Sequence, residues 1–228
     1  MEQKLEDLKR IGGGLLGRTY TNFEDVIVKH IYCRTNQPNL KAIEKGLEKI
    51  KGISYMNISS IIDFYIQPEI DEIKIKREYV KGKNLEEYIK EKDKFTITET
   101  SDIIFPLAKV LSDLGEKYNL IHGNLKPSNV IINLDDKKNV SLIKIVDFCP
   151  PALIQYVLNN RKIEEKDKPY YHPSVLQGKQ PVHQTDIYSI GAIAYRMLKG
   201  KSYEEGNKLN LEERAKEFED IISKTLRL

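Results

Sequence analysis

The stretch Ile121-His122-Gly123-Asn124-Leu125-Lys126-Pro127-Ser128-Asn129 decides how the rest of the chain is read. It lies between a long helical pattern and a strand pattern. Upstream, the capping box Thr96-x-x-Glu99 opens a helix with Ile103, Ile104, Leu107, Val110, Leu111 and Leu114 on its inner face. Pro106 is expected to kink that helix. Downstream, two short strands flank the polar turn Asp135-Asp136-Lys137-Lys138-Asn139. Thr185 to Lys199 reads as an apolar helix with Arg and Lys in its last turn and Gly200 as its stop. Leu211 to Leu226 reads as a final amphipathic helix, and Leu85 to Lys90 as a short one.

The first third of the chain is different in kind. Ile11 leads into a glycine cluster, followed by Arg18 to Thr21, a turn at Asn22 to Asp25 and the β-branched run Val26-Ile27-Val28. Apolar residues at 40, 43, 47 and 50 give a helical period, and Ser60 to Ile66 and Glu72 to Val80 read as strands. Strands first and helices afterwards predict an α+β, two-lobed architecture within one domain over 1–228. Its small β-rich N-lobe covers about 1–80, its hinge about 78–84, and its helical C-lobe about 85–228, cut short at its C-terminus.

Composition bounds the function. Of 228 residues, 40% are hydrophobic, the usual level for a packed core. Lys+Arg (37) nearly balances Asp+Glu (34), and the signs alternate along the chain, which argues against a nucleic-acid partner. Cys33 and Cys149 give neither a disulfide framework nor zinc spacing. The charged start MEQKLEDLKR is no signal peptide, and Ile187 to Tyr195 is too short to cross a bilayer. A soluble, cytoplasmic protein without membrane contact is expected.

Six motifs now fall in order. Gly12-x-Gly14-x-x-Gly17 is followed by a strand, where a dinucleotide-binding unit would place a helix. Lys29 ends Val26-Ile27-Val28-Lys29, where a protein kinase carries V-A-I-K. The opening stretch resembles the catalytic loop H-R-D-L-K-x-x-N, and Ile145-Val146-Asp147-Phe148-Cys149 stands where D-F-G would. Tyr171-His172-Pro173-Ser174-Val175-Leu176 resembles the A-P-E region, and Thr185-Asp186-Ile187-Tyr188-Ser189-Ile190-Gly191 the start of the buried C-lobe helix. Over roughly residues 8 to 226 the chain resembles the eukaryotic-type protein kinase family.

The resemblance implies roles residue by residue. Gly12, Gly14 and Gly17 would let backbone N–H groups approach the phosphates of ATP, and Lys29 would pair with them. Glu44 is the candidate helix partner of Lys29, although a change of register would put Ile43 in that slot. Asn129 and Asp147 match the Mg²⁺ ligands, and Lys126 the lysine that steadies the transferring phosphoryl. Asp186 would bond the catalytic-loop backbone, and His122 and Phe148 would pack in the apolar column joining the lobes. Lys76-Arg77-Glu78-Tyr79-Val80 resembles the hinge, so Glu78 and Val80 would meet the base.

The departures are equally specific. Asn124 stands where the catalytic carboxylate belongs, and an amide has no useful basicity near neutral pH. Gly123 replaces the arginine that clamps a phosphorylated loop, and no Ser or Thr lies between Asp147 and Pro173. The threonine that contacts the catalytic Asp and Lys is missing from Lys168-Pro169-Tyr170-Tyr171. Ser174 replaces the A-P-E glutamate, and the late C-lobe arginine that pairs with it is expected to be absent. Ile27 is bulkier than the usual Ala on the adenine ring, which predicts an overpacking cost of about 1–3 kcal/mol. Arg77 falls at the gatekeeper slot, where a buried guanidinium would need Glu44, Asp147 or the nucleotide as partner. A register shift would instead leave it in solvent. The expectation is a pseudokinase, a scaffold or allosteric regulator with weak binding of ATP with Mg²⁺ and little phosphotransfer. Another kinase or its substrate is the expected partner, and self-association or a dedicated binding protein is expected around Ile187, Ile190 and Met197. The alternatives are an active, divergent Ser/Thr or Tyr kinase and a truncated product without function.

Overall fold

The computed structural model describes residues 8–22, 25–33, 38–136, 139–211 and 216–227. They form two compact units, one of residues up to 81 together with 148–163, the other of 82–147 with 164–228.

The first unit is built on a five-stranded antiparallel sheet of order β1-β2-β3-β5-β4. Its strands are β1 (Lys9–Gly14), β2 (Gly17–Thr21), β3 (Val26–Tyr32), β4 (Ile61–Gln67) and β5 (Glu72–Glu78). The β-branched density of β3 and β5 suits half-buried pleats. Ile31, Ile73 and Ile75 are fully buried on one face, while Leu8, Val26 and Val28 cluster on the other. Helix α1 (Leu40–Lys51) starts at Asn39, whose side chain accepts the Ala42 N–H, and buries Ile43, Leu47 and Ile50. These are three of the four positions that the sequence period marks.

A second helix completes this unit. Residues 148–163, expected with the C-lobe, carry helix α4 (Pro151–Asn160), which packs on α1. Its Leu153, Ile154, Tyr156 and Val157 are buried, a helical spacing that sequence reasoning passed over. The two helices approach at Gly46, where a Cβ would lie 2.5 Å from the Pro150 side chain.

The second unit holds the short sheet β6 (Lys83–Asn84), β7 (Val130–Leu134) and β8 (Val140–Ile145), in that order. It also holds helices α2 (Leu85–Lys92), α3 (Ile97–Tyr118), α5 (Pro173–Leu176), α6 (His183–Lys199) and α7 (Lys216–Thr225), of which α2 and α3 pack on the sheet. The Thr96/Glu99 capping box is formed. Pro106 lies on the exposed side of α3, which continues as one element to Tyr118. The core joins Leu107 and Leu114 of α3 to Ile193 and Met197 of α6. Helix α7 packs against α6, and Ile190 and Met197, expected to lack cover, are both buried. Of that trio only Ile187 is exposed. No described helix is long and apolar enough to cross a membrane.

Candidate active site

In the first unit the glycine segment is a hairpin, with Gly14 opposite Gly17 and Leu15-Leu16 as its turn. Gly17 has φ +137°, and a Cβ there would strike the His30 carbonyl oxygen at 2.3 Å, so only glycine fits. Gly12 is exposed, with open space where a Cβ would stand, which leaves its backbone accessible to a phosphate. The turn itself is held from α4. The Arg161 guanidinium donates to the carbonyls of Leu15 (2.9 Å) and Tyr32 (2.8 Å).

Strand register places Ile27, Lys29, Ile75 and Arg77 together. Ile27 lies opposite Arg77, and Lys29 opposite Ile75, so all four point to one face of the sheet. Lys29 is buried. Glu44 is not turned inward with it. Helix α1 buries Ile43 and exposes Glu44, because the 43-47-50 stripe fixes the rotation of the helix. The second of the two registers considered for this helix is therefore the one adopted.

Arg77 is 2% exposed, and Glu44, one of the partners expected for it, is on the exposed side of α1. Its Nη2 donates to the Phe148 carbonyl and lies 3.6 Å from Cys149 Sγ. Nε and Nη1 are buried with no hydrogen-bond partner. At the hinge, the Glu78 N–H donates to the Ser60 carbonyl and the Glu78 carbonyl accepts from the Ser59 hydroxyl. Val80 is buried.

In the second unit the loop 121–129 is fixed by its own polar groups. Asp186, at the start of α6, accepts the N–H groups of His122 (2.6 Å) and Gly123 (2.9 Å). Burial raises its carboxyl to about 6, against the lowering effect of those two bonds. His122 donates Nε2–H to the Val146 carbonyl (2.9 Å) and accepts the Asn124 N–H at Nδ1, which defines a neutral tautomer. The Asn124 carbonyl accepts Nδ2–H of Asn129 (2.9 Å). With its nitrogen so occupied, the Asn129 amide presents its oxygen as a hard donor. Val130 pairs with Ile145, and the Val146 N–H donates to the Asn129 carbonyl. Asn129 and Asp147 therefore flank the same end of the β7–β8 ladder. Asp147 holds φ +65°, uncommon away from glycine, so a costly backbone conformation positions its carboxylate. An amide oxygen and a carboxylate at one ladder end fit Mg²⁺, which takes few protein ligands and completes its shell with water and phosphate.

Two contacts were not anticipated. Lys126 forms a buried ion pair with Asp167, and the Tyr171 hydroxyl donates to Asn124 Oδ1. Asp167 and Tyr171 bracket one tight turn, with the Tyr171 N–H donating to the Lys168 carbonyl (3.0 Å). The Ser189 hydroxyl of α6 donates to the Tyr170 carbonyl (2.7 Å) and anchors that turn. Burial pushes both Tyr170 and Tyr171 well above the ordinary phenol range. The two contacts that a threonine makes in the family, to positions 124 and 126, are thus divided between Tyr171 and Asp167. Sequence reasoning saw only the absent threonine. The available signal was an acid and a tyrosine bracketing Lys168-Pro169-Tyr170, and it needs the fold to acquire meaning.

A protein kinase domain model matches residues 5–227. The chain belongs to the protein kinase domain family. Relatives of this kinase domain include a probable serine/threonine-protein kinase of Clostridium acetobutylicum, 28% identical over 87% of this chain and 30% of the relative. A putative serine/threonine-protein kinase of Mycoplasma pneumoniae is 26% identical over 83% of this chain and 54% of that protein. A probable serine/threonine-protein kinase of Clostridium perfringens is 26% identical over 73% of this chain and 23% of the relative. The kinase domain thus spans about a quarter to a half of the length of these relatives.

Proposed function

We propose that this kinase domain is a slow protein kinase, which binds ATP with Mg²⁺ weakly and transfers the γ-phosphate to Ser or Thr hydroxyls of a protein acceptor. The observation that carries this reading is the buried Lys126–Asp167 pair, which brings a carboxylate to a catalytic loop that lacks one at Asn124. Gly12 and Lys29 would hold the phosphates, and Asn129 and Asp147 the metal, as their counterparts do in kinases generally. The relatives' names support the choice of Ser/Thr acceptors.

A second reading, the pseudokinase acting as scaffold or allosteric partner, is favoured by Asn124 itself and by Arg77. One brings no proton acceptor, and the other buries a charge beside Ile27 on the face that would pack on the adenine. Incubation with γ-labelled ATP, Mg²⁺ and a generic protein acceptor separates the two. The slow-kinase reading expects phosphoserine or phosphothreonine above a Lys29→Ala control, and the pseudokinase reading expects none.

A further inference from the structure

We propose that Asp167 is the catalytic carboxylate of this domain, taking over from a different position the role that Asn124 cannot perform. The inference rests on the phosphotransfer reading and goes beyond it by naming the proton acceptor.

Position 124 is chemically closed. Its amide oxygen is occupied by the Tyr171 hydroxyl, its backbone N–H by His122 and its carbonyl by Asn129. A carboxamide also takes no proton near neutral pH. Position 167 is the opposite case. Its carboxylate contacts Lys126, two residues from Asn124, and both partners are about nine-tenths buried. The turn that presents it is fixed at three points, by Tyr171 on Asn124, by Ser189 on the Tyr170 carbonyl and by the Asp167 N–H on the Glu164 carbonyl (2.9 Å). Such fixed support is what positions a proton acceptor well enough to help. The loop plus its turn also keeps the charge balance of an intact catalytic loop, one lysine and one carboxylate, with the negative charge moved from residue 124 to residue 167.

The reaction asks this carboxylate for one proton. The acceptor hydroxyl oxygen forms a bond to the γ-phosphorus while the bond from that phosphorus to the bridging oxygen breaks, and the electron pair leaves on ADP. The hydroxyl proton passes to an Asp167 carboxylate oxygen. Lys126, neutralised by Asp167 at rest, turns its ammonium toward the phosphoryl charge as that charge shifts. The pair thus supplies the base and the charge stabilisation together.

The test uses three variants of the full chain: Asp167→Asn, the charge swap Asn124→Asp/Asp167→Asn, and Lys29→Ala as background. Asp167→Asn should lower phosphate transfer about 10²–10⁴-fold, the usual weight of a general base, to the Lys29→Ala level. Its nucleotide-free melt should also fall, because Lys126 loses its buried partner. The charge swap should recover both the melting temperature and a substantial part of the rate. An Asp167→Asn rate within threefold of the parent overturns the proposal, and so does a charge swap that leaves the melt as low as the single variant. A parent no faster than Lys29→Ala overturns the phosphotransfer reading itself, and the proposal with it. Because the melt is read without nucleotide, it judges the placement of the carboxylate even if Asp167→Asn alone does not fold.

Discussion

Replacing Arg77 by Met should stabilise this domain, against the usual trend for buried positions. Arg77 carries a charge on the inner face of β5 at 2% exposure, with Nε and Nη1 unpartnered and only Nη2 bonded, to the Phe148 carbonyl. Each orphaned buried donor costs about 1–3 kcal/mol, and the one charge-assisted bond returns about 1.5–3 kcal/mol. Met is unbranched and of similar length, so it can follow the same path between Ile27 and Ile61 without a large cavity. The balance favours the variant by about 2 kcal/mol, in line with the gains seen when buried ions give way to apolar side chains. For a chain of this size that amounts to a rise in Tm of about 4–8 °C. Thermal unfolding followed by circular dichroism, with a urea melt to confirm an unchanged slope, measures it. A fall in Tm of several degrees would refute the reasoning, since it would mean that the guanidinium is fully satisfied in solution.

Four further outcomes can be measured. Gly46→Ala should gain about 1 kcal/mol of helix propensity in an isolated α1 peptide yet destabilise the domain by about 1–3 kcal/mol, because the new Cβ meets Pro150; denaturant melts of both decide it. Asp186, raised by burial to about 6 from 3.8, binds its proton more tightly in the folded state. It therefore favours folding at low pH, and that contribution, on the order of 3 kcal/mol, is lost as pH rises from about 4 through 6. A carboxyl-carbon NMR titration should give a midpoint near 6 for this residue. Asp147→Ala should abolish the Mg²⁺ dependence of ATP-induced thermal stabilisation, whereas Ile27→Ala with Arg77→Met should enlarge that stabilisation. Titrated melts read both, and an Asp147→Ala domain that still needs the metal would place the ligand elsewhere.

The fold was legible because its signals are local. The catalytic loop, the strand ending in Lys29, the Thr96/Glu99 capping box and the apolar stripe of α6 each follow from nearby residues. Helix α4 was missed because Pro150-Pro151 reads as a loop, and its buried face has a partner only once Gly46 lets α1 approach. Glu44 illustrates a one-residue ambiguity. Only the burial of Ile43, Leu47 and Ile50 against the sheet settles which way the helix faces. Where a motif is local its geometry was legible: Asp186 bonds the loop backbone at His122 and Gly123, and Asn129 and Asp147 come to one end of the β7–β8 ladder. The site was opaque where the contacts join residues brought together only by the fold. Asp167 lies 41 positions from Lys126, and Tyr171 lies 47 from Asn124, so neither contact has a sequence spacing to betray it.

The most direct test of this account is a single-turnover assay, with the domain in excess over γ-labelled ATP and Mg²⁺, and a Ser/Thr protein acceptor present. The account predicts slow transfer by the parent, clearly above Lys29→Ala, and its loss in Asp167→Asn. Transfer by the parent indistinguishable from Lys29→Ala would contradict it and leave the kinase fold without kinase chemistry.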